Sequence, residues 1–174
     1  MRRVLPLFLF AVAIPVAPAK AATCAGANAM PSASNLSQVR KATLCLLNQQ
    51  RRSQGLAPLR SHGTLQRAAS SFSRQMVRDR FFDHTAPDGT TFDRRIVAAG
   101  YRRFSELAEN IAWGSGGRAT AAQIVEGWMH STGHRRNILD GKLHDIGIGI
   151  APGAPQNIGG QPAATYTTDF GRRR

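Results

Sequence analysis

Five histidines (His62, His84, His130, His134, His144) and three glutamates (Glu106, Glu109, Glu126) are all that this 174-residue chain offers of either type. Three of them stand in settings that could do chemistry. His84 lies in Phe81-Phe82-Asp83-His84-Thr85, ahead of the turn residues Pro87-Asp88-Gly89. Glu109 is a carboxylate inside the largely apolar run Leu107-Ala108-Glu109-Asn110-Ile111-Ala112, and His134 opens His134-Arg135-Arg136-Asn137-Ile138-Leu139. Two imidazoles and one carboxylate form an ordinary donor set for a divalent metal such as zinc, with a fourth place left for water. Water held there would be acidified, which is how a hydrolase would begin. Taken singly, each residue also has a plain structural use, as a cap, a surface carboxylate or a satisfied histidine.

Catalytic motifs are missing around this trio. His130 and His134 are four apart, but Ser131-Thr132-Gly133 between them supplies no general base and disfavours a helix, so there is no H-E-x-x-H site. No Gly-x-Ser-x-Gly elbow occurs. No catalytic residue is therefore assigned, and a metal-dependent extracellular hydrolase acting on peptide or cell-wall material stands as the alternative to a binding role.

The elements that must position these residues change period along the chain. Asn35 or Ser37 can cap a helix whose Leu36, Val39, Leu44 and Leu47 form one face and which ends near Gly55. From His62 to Arg80, Leu65, Ala68, Ala69, Phe72 and Met76 recur at three and four, with arginines on the outer side. Thr91 to Ala99 reads as a short helix with Phe92, Ile96 and Val97 inward. Thr120 to His130 reads as another, burying Ile124, Val125 and Trp128 before Gly133 ends it. Beyond His134 the pattern alternates. Asp145-Ile146-Gly147-Ile148-Gly149-Ile150 places isoleucines on one face and glycines on the other, a strand whose bare side invites close approach by another layer. Ala163 to Phe170 is a second strand, and the Pro/Gly-containing stretch between them lets the two pair as a hairpin. Helices first and strands later predict an α+β domain with an antiparallel sheet.

Arg2 and Arg3, the apolar run Val4 to Val16 and the Ala19-Lys20-Ala21 site read as a signal peptide over residues 1–21, making the protein secreted, extracellular or periplasmic, and not transmembrane after processing. Export places the two cysteines, Cys24 and Cys45, where a pair closes into a disulfide. Closing a loop of that size stabilises the fold by about 3 kcal/mol. Cys45 sits among Leu44, Leu46 and Leu47, a setting that suits a structural cysteine rather than a reactive one.

Charge is lopsided: Lys+Arg number 23 against 10 Asp+Glu, a formal net charge of +13, and all but Lys20, Lys41 and Lys142 are arginine. Pairs recur at Arg51-Arg52, Arg94-Arg95, Arg102-Arg103 and Arg135-Arg136, with Arg172-Arg173-Arg174 at the end. Such a surface draws anionic cell-envelope polymer or a lipid surface, or is simply a solvated face. Dedicated nucleic-acid binding does not fit, because aromatic residues do not interleave with the arginines and no groove-reading motif is present.

Several motifs in register carry a resemblance. Asn48-Gln49-Gln50-Arg51-Arg52 with Gly55-Leu56-Ala57-Pro58-Leu59, Phe82-Asp83-His84, and Ala108-Glu109-Asn110-Ile111-Ala112 with Gly114 come first. Trp128-Met129-His130-Ser131, Gly133-His134-Arg135, Asn137-Ile138-Leu139, Ile146-Gly147-Ile148-Gly149 and Thr168-Asp169-Phe170-Gly171 follow in order. Together they resemble the bacterial, SCP-like branch of the CAP superfamily of cysteine-rich secretory, antigen 5 and pathogenesis-related 1 proteins. The resemblance implies a three-layer α-β-α sandwich with a central antiparallel sheet over residues 36–171, after a segment at 22–35 and before a basic tail at 172–174. It also implies a cleft lined by two histidines and two acids that can bind a divalent cation. These carry over as His84, His134 and Glu109. The second acid's position falls on Ser131; Glu126 lies on another side of its helix, and His130 and Asp145 are left as stand-ins. The function expected is a secreted binding module whose His84-Glu109-His134 cleft holds a divalent metal or small polar ligand.

Overall fold

The computed structural model describes residues 23–174, so the signal peptide read over residues 1–21 lies outside the described residues. Helix α1, Leu36–Ser53, turns Val39, Ala42 and Leu47 inward at helical spacing. Asn35 flanks it without capping it: its amide donates to Met30 O and its Oδ1 accepts from Ser32 N, which folds the preceding turn instead. The disulfide expected between Cys24 and Cys45 is formed, with Cα atoms 5.7 Å apart, and ties the start of the described segment to α1.

After the two-residue strand β1, Arg60–Ser61, helix α2, Gly63–Asp79, begins where His62 Nδ1 accepts from Thr64 N at 3.3 Å. It buries Leu65, Ala68, Ala69, Phe72 and Met76, the stripe expected. Helix α3, Phe92–Ala98, buries Ile96, but Val97 is 38% exposed rather than inward, because the helix is only two turns long and sits on α2 by a single edge. Strand β2, Phe104–Ser115, follows. Helix α4, Ala121–His130, is capped by Thr120 Oγ1 accepting from Gln123 N. Its end corrects the sequence reading. Ser131 is extended and turns the chain, and Gly133 lies inside a further helix, α5, Thr132–Ile138, instead of terminating α4.

The sheet is completed by β3, Asp145–Pro152, and β4, Ala163–Arg173, which pair as the expected antiparallel hairpin, Ile148 opposite Thr168. Arg172 and Arg173 thus continue a strand rather than forming a tail. The strand order is β1-β3-β4-β2. β2 runs antiparallel to β4 and β1 parallel to β3, so this four-stranded sheet is mixed, antiparallel in all but its shortest member.

Layering follows from the alternation in β3. Ile146, Ile148 and Ile150 pack on one face with Val39 and Leu47 of α1, Ile124 and Trp128 of α4 and Ile138 of α5. Gly147 and Gly149 face α2, whose backbone lies so close that a Cβ at Gly147 would stand 2.0 Å from Leu65 C and one at Gly149 2.1 Å from Ala69 O. Only bare glycine admits a helix at that distance. The result is the α-β-α sandwich expected, with α2 and α3 on one side and α1, α4 and α5 on the other.

A buried arginine locks the second helical layer. The guanidinium of Arg51, fully enclosed, donates to Ala57 O (2.8 Å), Ile138 O (2.8 Å), Asp140 O (2.9 Å) and Leu143 O (3.1 Å). It thereby satisfies carbonyls at the end of α5 and fixes that helix against α1.

Candidate functional site

β2 is an outer strand of the sheet, and its alternation sends Glu109 and Asn110 to opposite faces. The carboxylate of Glu109 is buried. The Nδ1–H of His84, from the loop between α2 and α3, donates to its Oε1 at 2.8 Å, and Arg95 of α3 donates to its Oε2 at 2.8 Å. Arg95 also donates to Thr90 O at 2.9 Å and His84 O at 3.0 Å, and its guanidinium carbon lies 3.3 Å from the centre of the Phe72 ring. One arginine thus pins the His84 loop to the strand through charge, hydrogen bonds and a ring face. The bond to Glu109, reinforced by that residue's charge, holds the half-exposed His84 ring above the usual histidine range.

On the other face, α5 is fastened to the same strand. Asn137 donates to Asn110 Oδ1 at 2.9 Å and to Glu109 O at 3.3 Å, and Asn110 donates to His134 O at 3.2 Å. His134 is thereby set beside Trp128, ring centres 6.5 Å apart. Burial, and then the charge of His84, push His134 below the usual histidine range. Two histidines of one cleft are therefore driven in opposite directions, His84 toward the charged form and His134 toward the neutral one.

The structure brings His84 and Glu109 into contact and places His134 nearby without bonding it to either. Both oxygens of Glu109 are engaged, and among the described residues no three His, Cys, Asp or Glu side chains converge as a metal shell. In this arrangement the donor set does not fit a metal. The stand-ins for a second acid are elsewhere: His130 is exposed, with Nδ1 2.9 Å from Glu126 O, and Asp145 accepts from Tyr101 OH at 2.9 Å and Arg173 Nε at 3.1 Å.

An acid that sequence reasoning passed over, although its motif was noted, stands against Glu109: Asp169. It is the cross-strand partner of Glu109 in the β2–β4 ladder and is 2% exposed, with Oδ1 lacking any hydrogen-bond partner. Burial, then the charge of Glu109 and a hydrogen bond to it, raise its carboxyl well above the ordinary range. Asp169 is therefore the member of this pair driven toward its neutral, protonated form. The signal in the sequence is a lone acid in a strand of β-branched and aromatic residues, where an ionised side chain has no place. Arg95, also missed, carries no such signal beside Arg94.

Along the free edge of β2 runs a groove of about 470 Å³, walled by Phe82, Ile111, Trp113 and Trp128, with Ser131 and His134 at its side. Phe82, two residues before His84, is 44% exposed over it. A larger hollow of about 640 Å³ beside Asn28, Ser115, Arg118 and Gln123 contains no histidine or acid.

The family model of the cysteine-rich secretory proteins, CAP, matches residues 44–166. The chain belongs to the CAP family. Uncharacterized protein YkwD of Bacillus subtilis is 36% identical over 130 residues, 74% of this chain and 49% of the relative. The B. subtilis membrane protein YlbC is 32% identical over 111 residues, 63% of this chain and 31% of the relative. This CAP domain thus spans half or less of those two relatives. Among solved structures, an outer surface protein from Borrelia burgdorferi superimposes with a TM-score of 0.67 at 20% identity, covering 79% of this chain and 94% of that one. An extracellular SCP-domain protein from Bacillus anthracis gives 0.61 at 24% identity, covering 80% and 41%. At these identities the structural likeness establishes the CAP fold alone. No helix among the described residues is long and apolar enough to cross a membrane.

Proposed function

We propose that this CAP domain is an extracellular binding module whose ligand lays an apolar body along the β2 groove and a polar or anionic end against His84 and His134. One observation carries the reading: the groove is walled by aromatic side chains with His134 at its side and has no acid in its lining, while Glu109 is buried under Arg95 and bonded to His84. Clefts that are mostly apolar with a few convergent polar groups are the usual form of small-molecule sites. The disulfide and the extracellular or outer-surface names of two structural relatives support an exported location. The excess of basic residues, 23 Lys+Arg against 10 Asp+Glu, supports residence at an anionic cell envelope.

The chain's two tryptophans both line the groove, so intrinsic fluorescence reports its occupancy. Titration with 8-anilinonaphthalene-1-sulfonate, an apolar anion, should quench them saturably. Phe82→Ser and His134→Ala should each weaken binding by about tenfold. Unchanged affinity in both folded variants would refute this assignment of the groove.

A hydrolase is the second reading, favoured by the His84–Glu109 bond: a carboxylate on Nδ1 leaves Nε2 facing outward as a general base. Turnover of a peptide or cell-wall substrate that disappears in a folded His84→Ala variant would establish it. The zinc form of that reading requires Glu109 to part from Arg95. Calorimetric zinc titration of the wild type against the His84→Ala/His134→Ala double variant tests it directly.

A further inference from the structure

The ends of three strands meet in a polar hollow that shares no residue with the β2 groove. Its volume is about 330 Å³, and its lining is Ala57, Pro58, Arg60, His144, Asp145 and Arg173. Arg60 comes from β1, Asp145 from the start of β3 and Arg173 from the end of β4. β3 lies between the other two strands, so the two arginines stand on either side of the acid.

The walls are held from behind. Arg51 donates to Ala57 O and Leu143 O, Arg60 N donates to His144 O at 2.8 Å, and His144 N donates to Gly171 O at 3.1 Å. Asp145, 9% exposed, is occupied in orienting Arg173: its Oδ2 accepts from Tyr101 OH at 2.9 Å and from Arg173 Nε at 3.1 Å. That bond engages only the Nε–H of Arg173. Both terminal amino groups of its guanidinium are left without a partner among the described residues. The exposed side chains of Arg60 and His144 likewise make no bond among the described residues. The surrounding surface repeats the sign. Arg172 and Arg174 flank Arg173, Arg174 N donates to Arg103 O at 2.7 Å, and Arg102, Arg103, Arg172 and Arg174 are all exposed. The acid on the adjoining strand, Glu106, faces Lys142 at 3.6 Å.

We propose that this pocket binds a phosphate group of a polyanionic chain, with Arg60 and the terminal amino groups of Arg173 on its oxygens and the flanking arginines on neighbouring phosphates. Donors arriving from two strands suit a tetrahedral anion, which offers oxygens in several directions. A planar carboxylate is already filled by a single arginine fork. The lining has no large apolar side chain to enter a bilayer and no aromatic face on which a nucleobase could stack. The site stands whether or not the β2 groove holds a ligand.

The probe is linear inorganic tripolyphosphate, titrated calorimetrically at an ionic strength of about 0.15 M, where charges more than about 8 Å apart are screened. Inorganic orthophosphate should bind at least about tenfold more weakly. Arg60→Gln should weaken tripolyphosphate binding at least about tenfold, and Arg60→Lys, which keeps the charge and loses the fork, by about threefold or more. Arg74→Gln, the same loss of charge at an exposed position of α2, should leave affinity within about twofold. Each variant alters an exposed side chain, and a thermal melt matching wild type checks its fold. In NMR spectra of the wild type, the signals of His144 and of Arg173 Nε–H should move as the probe saturates. Absence of binding overturns the proposal. So does an equal loss in Arg60→Gln and Arg74→Gln, which means diffuse attraction by net charge, or saturation that leaves His144 and Arg173 unmoved, which places the anion elsewhere. Equal affinity for orthophosphate overturns the chain and leaves a single small anion. Vesicles of phosphatidylglycerol and phosphatidylcholine supply the last arm: sedimentation with them that Arg60→Gln abolishes, beside tripolyphosphate binding that it leaves unchanged, makes the patch a membrane contact and overturns the proposal as well.

Discussion

Replacing Asp169 by asparagine removes a proton from the core while keeping a hydrogen-bond donor beside Glu109. In the folded chain the carboxyl of Asp169 is enclosed and faces the Glu109 carboxylate across the β2–β4 ladder, so it stays protonated well above its ordinary range. In the unfolded chain the same group releases its proton at a pKa of about 3.9. Above that pH, up to the raised folded value, the folded state holds one more proton than the unfolded state. Stability then falls as pH rises, by about 1.4 kcal/mol per unit. The Asp169→Asn variant has no proton to hold and lacks this slope. Urea denaturation of both proteins at pH 4.5, 5.5 and 6.5, at fixed ionic strength, should show the variant gaining on wild type as pH rises, by roughly 1 kcal/mol for each unit over which the folded wild type keeps its proton. Slopes from groups outside this pair cancel in the difference, because they are common to both proteins and the substitution leaves the Arg95 side of Glu109 untouched. A difference that does not move with pH would show that Asp169 carries no extra proton in the fold. A drift in the opposite direction would show it ionised, with Arg95 compensating two carboxylates.

The histidines give a second test. In an NMR titration His84 should titrate above 6.5 and His134 below it, and Glu109→Gln should bring His84 down, since its bond to Glu109 is the leading cause of its shift. The signs for stability are opposite. The contribution of His84 is full below 6.5 and fades as pH rises through its folded value, whereas that of His134 is present above 6.5 and is lost as pH falls through its folded value. Coincident titration of the two rings near 6.5 would contradict both assignments. Gly149→Ala should lower stability by about 3 kcal/mol: the new Cβ meets backbone 2.1 Å away, where about 3.5 Å is needed, and a helix backbone cannot rotate aside as a side chain can. A thermal melt unchanged within a degree would mean that α2 does not lie on that strand as described.

The fold was legible where the sequence carries its own period. Ile146 to Ile150 announces both a strand and the close approach of a second layer, and the α2 stripe from Leu65 to Met76 needs no partner to be recognised. Strand β2 escaped notice because Glu106, Glu109 and Asn110 interrupt its apolar alternation, and each finds its partner only in the assembled molecule. Strand β1 has two residues, too few for any pattern. Helix α5 was hidden by Gly133, whose low helical propensity is overridden by the grip of Arg51 and Asn137 on that helix. At the site, residue type and family motif together picked out His84, Glu109 and His134. The neighbours of Asp169 mark it only as an acid out of place in a strand; what ties it to the site is the acid opposite, sixty positions earlier in the chain.

The enclosed guanidinium of Arg51 also orders events in time. Its acceptors on Ile138, Asp140 and Leu143 lie 87, 89 and 92 residues farther along the chain. At synthesis rates of roughly 5 to 20 residues per second, an emerging chain waits roughly 5 to 18 s between making Arg51 and making the last of them. Throughout that interval α1 carries a cation that water must solvate, so the helix cannot settle into its final seat. The first helix among the described residues is thus among the last to dock, and a nascent chain ending before Leu143 exposes the apolar face that α1 later covers. Factors that shield half-made chains would find their target there.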